Sequence, residues 1–165
     1  MPKDYALSFK FAKKACEGRD STGCYILAEL YEKGQGVVKS EKKAGELFKD
    51  ICENSHLLGS LYGNVNNQDK ACFGASVIYL ENGAAQNLKK YIDFSLKACE
   101  LKYAKACENL ALSYLNGSGV RQDYRNALKY AGIACDLGEQ KSCEIYKAFK
   151  QNPLDFGLSE EDFKE

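Results

Sequence analysis

Three cysteine pairs stand eight positions apart, Cys16 and Cys24, Cys99 and Cys107, Cys135 and Cys143, and 36 positions separate Cys16 from Cys52 and Cys99 from Cys135. That longer period is in the range of helix-pair repeats and outside any heptad. Eight residues along one continuous helix would hold two Cα atoms about 12 Å apart, against the roughly 4.4 to 6.8 Å that a disulfide tolerates. The chain must therefore turn between the cysteines of each step. A short loop such as residues 100–104 brings the end of one helix to the start of the next. The repeat then selects one pairing among the many open to eight cysteines: Cys16 with Cys24, Cys52 with Cys72, Cys99 with Cys107, and Cys135 with Cys143.

Aligning the segments on their first cysteine exposes the rest of the unit. Twelve positions upstream stand Asp4, Ser40, Asn87 and Asp123, short polar side chains that cap the free N–H groups of a first helical turn. Between each cap and its cysteine, one face of a 3.6-residue helix repeats: Ser8, Phe11, Ala12, Ala15; Ala44, Leu47, Phe48, Ile51; Tyr91, Phe94, Ser95, Ala98; Ala127, Tyr130, Ala131, Ala134. This is helix A. From the second cysteine a helix B carries Cys24, Leu27, Ala28, Tyr31; Cys72, Ala75, Ser76, Tyr79; and Cys107, Leu110, Ala111, Tyr114, and glycines stop it at Gly34 and Gly36, Gly83, and Gly117 and Gly119.

One such pair cannot bury its apolar face alone, so successive pairs must stack. The expected fold is all-α, a right-handed α/α solenoid of four disulfide-stapled helix-pair repeats, about 4–36, 40–84, 87–119 and 123–152, in one domain over residues 1–152. The last B helix has Lys147 and Lys150 where Ala and Tyr are expected, as the polar outer face of a terminal repeat requires. Repeat two departs from the template: its cysteines are 20 apart, with an insertion near 56–67. Leu47, Ile51, Leu58, Leu61 and Tyr62 keep a helical period there, so helix A is expected to run on to about Tyr62. The insertion reads equally well as a partner-facing feature and as a tolerated loop. Residues 153–165 form an acidic tail with a capped turn at Ser159, whose Leu154, Phe156 and Leu158 either fold back over the last repeat or fray.

Composition narrows the compartment and the partner. Lys plus Arg and Asp plus Glu number 23 each, with no basic run, which argues against nucleic acid. Nothing approaches a membrane span, and the N-terminus lacks an apolar signal region. Eight cysteines nevertheless point to an oxidising compartment. The expectation is a mature domain whose leader has been replaced by a start Met; the alternative is a cytosolic protein with reduced thiols.

The strings KACELKYAKACENLALSYLNGSGV and KACEGRDSTGCYILAELYEKGQGV resemble the Sel-one-like repeat, a relative of the tetratricopeptide repeat, and more narrowly the Helicobacter cysteine-rich protein family. The resemblance spans about residues 4–152. It implies secreted or periplasmic α/α repeat proteins with one disulfide per repeat. Some members of that family are described as penicillin-binding or as weak β-lactamases, and others as adaptors holding peptides or proteins in a concave groove. A mitochondrial intermembrane-space assembly factor shares the repeat type.

The residues themselves supply no catalytic set. Zinc would want closely spaced ligand pairs, and the one imidazole is His56. Neither Ser95-Leu96-Lys97 nor Ser113 reproduces the Ser-x-x-Lys of serine β-lactamases. No metal, cofactor or catalytic residue is assigned. Tyr31, Tyr79 and Tyr114 read as inter-repeat core. The exposed face of the A helices offers Lys90, Asp93, Asn126 and Lys129, mixed in sign, as candidates for holding a peptide. The reading is a monomeric protein- or peptide-binding scaffold, without nucleic acid or membrane insertion; the competing class is an enzyme or drug binder acting on β-lactams.

Overall fold

The computed structural model describes residues 4–54, 67–81 and 85–163. Among these the regular structure is entirely helical, and the chain divides into two compact units, Met1–Asn82 and Gly83–Glu165. The first unit contains α1 (Tyr5–Glu17), α2 (Ser21–Lys33), α3 (Glu41–Glu53) and α4 (Gln68–Glu81). The second contains α5 (Ala85–Glu100), α6 (Ala104–Asn116), α7 (Tyr124–Asp136) and α8 (Gln140–Gln151), followed by two short 3-10 turns, Pro153–Phe156 and Glu160–Phe163. Odd-numbered helices are the A helices of the sequence pattern and even-numbered ones the B helices. No helix is long and apolar enough to cross a membrane among the described residues.

The caps form as the sequence predicts at three of four sites. Asp4 accepts from the Leu7 N–H, Ser40 from Lys43, and Asp123 from both Arg125 and Asn126. The fourth is a correction: Asn87 is the third residue of α5, which starts at Ala85, because Ala and Gln ahead of it are better helix formers than Asn and carry the helix back. Gly34 and Gly117 end α2 and α6 in the left-handed region, at φ 65° and 71°. The stop assigned to Gly83 lies outside the described residues.

All four bridges join the predicted cysteines, with Cα separations of 4.4 Å (Cys16–Cys24), 4.8 Å (Cys52–Cys72), 4.9 Å (Cys99–Cys107) and 4.6 Å (Cys135–Cys143). The step of eight has a backbone cause. Arg19, Lys102 and Gly138 each take positive φ (63°, 65° and 100°) three positions after the helix-A cysteine. Their N–H groups donate to the carbonyls of Cys16, Cys99 and Cys135 at 2.9, 2.8 and 2.9 Å, and the next residues donate to Ala15, Ala98 and Ala134. This double closure is the Schellman ending of a helix. It turns the chain at a fixed distance past the cysteine, so helix B always begins in register to present its own cysteine.

Repeat two reaches the same geometry by another route, and here the structure corrects the sequence. Helix α3 does not run on to Tyr62; it ends at Glu53 with Asn54 as its C-cap. The bridge explains why: Cys52 must meet Cys72 at a helix end, so the helix stops in the same register as its counterparts whatever the apolar period beyond it. Of the insertion, residues 55–66, with His56, Leu58, Leu61 and Tyr62, lie outside the described residues.

Stacking follows the repeat. Tyr31 packs into a cluster with Ala12, Leu27 and Leu30, to which Leu47 of the following A helix also belongs. Tyr114 stacks on Tyr130 of the following A helix, centroids 5.6 Å apart and rings 8° from parallel. The tyrosine carbonyls also accept from the next cap residue: Ser40 N–H to Tyr31 at 2.8 Å, Asp123 N–H to Tyr114 at 2.9 Å. These tyrosines are inter-repeat core, as expected. The helix-A face is buried in repeats two to four except for half-buried Leu47 and Tyr130, but not in repeat one. Ser8 is exposed and Phe11 is 62% exposed, because among the described residues no B helix precedes α1.

The tail folds back. Leu158 is 2% exposed in a cluster with Ala127, Leu128 and Phe149, against which Phe156 and Phe163 also pack. Leu154 does not take part and is 86% exposed. The last repeat is thus covered by the tail's own aromatic residues as well as by the polar Lys147 and Lys150, both exposed.

Candidate functional site

The four groove candidates sit on the A helices of the second unit. Lys90 and Asp93 lie exposed, three residues apart on α5; Lys129 is exposed on α7 and Asn126 half-buried there. They are not equivalent in engagement. Asn126 is held by its own cap: its N–H donates to Asp123 Oδ1 at 3.1 Å and its side-chain amide to Oδ2 at 2.8 Å. Those bonds, with the Arg125 N–H, hold the Asp123 carboxyl below its ordinary value, the Asn126 N–H being the largest cause. Lys129 lies 5.4 Å from the Tyr130 ring centroid, placing its ammonium over the aromatic face.

Of the four, Lys129 alone lines a cavity of about 440 Å³. Its wall is a stripe of α7, Arg125, Leu128, Lys129, Gly132 and Asp136, at i, i+3, i+4, i+7 and i+11, with buried Leu128 at its floor, and it is closed by Tyr146 of α8 and by Asp162 and Phe163 of the tail. Gly132 lets the Tyr146 ring lie close against α7: a Cβ there would stand 3.2 Å from the ring, so the ring would have to shift by a few tenths of an ångström to admit one. The tail is tied down by Arg125 Nε to Asp162 Oδ1 at 3.3 Å and by an edge-on contact of Phe163 with Tyr146, centroids 6.1 Å apart. Asp162 also accepts from the Ser159 N–H at 2.7 Å and the Ser159 hydroxyl at 3.0 Å, the capped turn the sequence places at Ser159. The Ser159 N–H first, and then its hydroxyl, hold the Asp162 carboxyl below its ordinary value. A second, more open cavity of about 610 Å³ adjoins the same tail, lined by Tyr114, Gln122, Tyr124, Arg125 and Phe156 among others.

Chemically the first cavity offers two cations, Arg125 and Lys129, two carboxylates, Asp136 and Asp162, and aromatic edges, a surface suited to a polypeptide. No group of three metal-ligating side chains occurs among the described residues. Sequence reasoning found Lys129 but missed the tail's contribution. The signal was present in the aromatic spacing of Phe156 and Phe163 around Ser159.

A cytochrome c oxidase assembly factor 7 from Xenopus tropicalis is 28% identical over 178 residues, covering 99% of this chain and 69% of its own length. The human protein of that name is 30% identical over 132 residues, 76% of this chain and 52% of its own. Among solved structures, a Sel1 repeat protein from Oxalobacter formigenes superposes with a TM-score of 0.74 at 20% identity, covering 97% of this chain, which spans 61% of the Oxalobacter chain. Helicobacter pylori cysteine rich protein B superposes with a TM-score of 0.60 at 26% identity, covering 87% of this chain and 95% of its own. The Sel1 repeat model matches residues 1–20, 21–56 and 104–139. The two longer matches take in α2 with α3 and α6 with α7, a B helix with the A helix stacked on it, joined by the tyrosine-to-cap bonds described above. With the matches spanning more than half its length and the helix pairs packed as that unit requires, this chain belongs to the Sel1 repeat family.

Proposed function

We propose that this chain is a protein-binding scaffold that works as an assembly factor, as the names of its curated relatives suggest, and that its paired cysteines suit an oxidising compartment such as the mitochondrial intermembrane space. The observation that carries the reading is that all eight cysteines are paired while the likeness to the Xenopus assembly factor extends over 99% of the chain. Disulfides between helix ends persist only outside a reducing cytosol. The client is a polypeptide, engaged on the A-helix face that carries Lys90, Asp93, Asn126 and Lys129 and at the tail-bounded cavity beside it. Removing the gene from its native cells and measuring assembled cytochrome c oxidase tests the reading: a lowered level supports it, and an unchanged level overturns it. Alkylation of the natively located protein without reductant adds a second check, with no labelled thiol expected.

A second reading has a specific observation in its favour. Helicobacter cysteine rich protein B is covered over 95% of its length with a TM-score of 0.60, a likeness in line with the family resemblance from which a secreted or periplasmic scaffold is expected. Fractionation of the native cells separates the two compartments. Turnover of a chromogenic cephalosporin by the pure protein would favour the β-lactam activity expected from that resemblance over simple scaffolding.

A further inference from the structure

Helix α1 presents Leu7, Lys10, Phe11 and Lys14 on one stripe, at i, i+3, i+4 and i+7, and all four are exposed. Leu7 is 48% exposed and Phe11 62%. The repeat register says what belongs on such a stripe. In repeat two the positions of Leu7 and Phe11 are held by Lys43 and Leu47. Leu47 packs into the cluster of Leu27 and Leu30, and Lys43 stands 5.1 Å from the ring centroid of Tyr31. In repeat four the position of Phe11 is Tyr130, stacked on Tyr114. Each time the occupant is a B helix carrying Leu and Tyr on one face. Among the described residues, α1 has no such occupant.

Two departures from the repeat mark the stripe as more than a leftover end. The position of Leu7 is polar in every other repeat, Lys43, Lys90 and Asn126, so α1 adds an apolar side chain where the pattern does not call for one. The charges also differ. Repeat two places Glu46 and Asp50 at the positions of Lys10 and Lys14, and repeat three mixes Asp93 with Lys97, whereas α1 has lysine at both. A helix face kept only for contact with water carries few large apolar side chains. This one is apolar along one edge, Leu7 and Phe11, and cationic along the other, Lys10 and Lys14.

We propose that the Leu7–Phe11 stripe of α1 is a docking surface for an acidic amphipathic helix of a partner polypeptide, one that carries aliphatic and tyrosine side chains at B-helix spacing with Asp or Glu beside them. Leu7 and Phe11 would take the place Leu47 takes against α2, and Lys10 and Lys14 would pair with the partner's carboxylates. Charge selects this occupant over a second copy of the chain, since two α1 stripes face to face would set lysines against lysines. The stripe belongs to the first unit and uses none of the residues of the A-helix groove or the tail cavity, so it does not rest on the assembly-factor reading.

The test is a fluorescence-anisotropy titration of the intact, oxidised protein with two labelled helical peptides. Both carry Leu, Leu, Ala and Tyr at offsets of zero, three, four and seven; one is flanked by Glu and the other by Lys. The Glu peptide is expected to bind at least about tenfold tighter than the Lys peptide, with affinity falling as salt rises. Phe11→Asp and Leu7→Asp should abolish binding while leaving the melting temperature unchanged, because both side chains are exposed. Lys10→Glu with Lys14→Glu should reverse the preference toward the Lys peptide, a gain that misfolding cannot produce. Equal binding of both peptides, unaltered binding to Phe11→Asp, or no binding of the Glu peptide would overturn the proposal. So would a dimer in sedimentation equilibrium that Phe11→Asp dissolves, which would assign the stripe to a second copy.

Discussion

The side-chain amide of Gln68 donates to the backbone carbonyl of Cys52 at 3.1 Å, filling the role that a left-handed residue's own N–H fills toward Cys16, Cys99 and Cys135 in the other three repeats. In the sequence the second repeat differs here by its insertion near 56–67. A side chain from the first position of α4 takes the place of that N–H, and the last turn of α3 keeps its partner. Gln68→Met preserves length and apolar reach but not the donor. It is expected to lower stability by about 1 kcal/mol, the usual worth of one such bond. Urea denaturation of the oxidised protein checks it, and an unchanged midpoint would mean that solvent serves the carbonyl equally well.

The Schellman turns give a prediction of opposite signs at equivalent positions. Gly138 has φ 100°, where a side chain is strained whatever the space, and no atom lies within 4 Å of the Cβ it would gain. Gly138→Ala therefore isolates backbone strain from steric contact, and should cost about 1 kcal/mol or more. Lys102 already bears that strain at φ 65°. Lys102→Gly relieves about 1 to 2 kcal/mol of it and gives back roughly 0.5–1 kcal/mol in unfolded-chain entropy. The net effect is a small gain. Paired melting curves of the two variants read the sign directly.

Docking of the tail rests on Leu158 rather than on the Arg125–Asp162 ion pair. Leu158 is 2% exposed, and truncating a fully buried Leu generally costs about 2–5 kcal/mol. Arg125 is 70% exposed at its side chain, where water screens the pair. Leu158→Ala should open the amides of residues 154–163 to hydrogen exchange, while Arg125→Ala leaves them largely protected. The acid response follows from Asp162, whose carboxyl is held below its ordinary value of 3.8 in the docked state. A depressed pKa contributes stability that is fully present above the unfolded value and is lost as pH falls through the folded one. Tail protection should be constant from neutral pH down to about 4 and weaken below it. Loss of protection beginning near pH 6 would show that another group controls the latch.

Much of this architecture was legible because the cysteines sit at a helix end and a helix start, where register is least free. The caps at Asp4, Ser40 and Asp123 and the four pairings followed from counting alone. What escaped was whatever depended on neighbours. Phe11 carries the same periodic signal as Phe94 and Tyr130, yet only the presence of a preceding B helix decides whether such a residue is core. The run from Leu47 to Tyr62 is periodic enough for a helix, but the bridge at Cys52 ends α3 regardless of it. Arg19 and Lys102 gave no sign of positive φ, since neither is a residue that favours it; only Gly138, at the equivalent place, advertised the turn. At the candidate site, Lys129 was visible as an exposed A-helix position, while the cavity it lines required the tail to fold back, which composition left open.

The bridges themselves separate two accounts of disulfide stability. Three close a separation of eight residues and the fourth, Cys52–Cys72, one of 20. If stabilisation comes from entropy withheld from the unfolded chain, each short bridge contributes about 2–3 kcal/mol, and the longer loop adds roughly 0.8 kcal/mol through the logarithm of its length. Cys52→Ala with Cys72→Ala should then cost more than Cys99→Ala with Cys107→Ala. Both pairs are buried to a similar degree, so the loss of packed sulfur is matched between the variants. Urea unfolding of the two double variants, with the remaining three bridges confirmed intact by mass, measures the difference. Equal losses would place the stabilisation in native-state packing between helix ends, and the length of the loop would then be irrelevant to how firmly the second repeat is stapled.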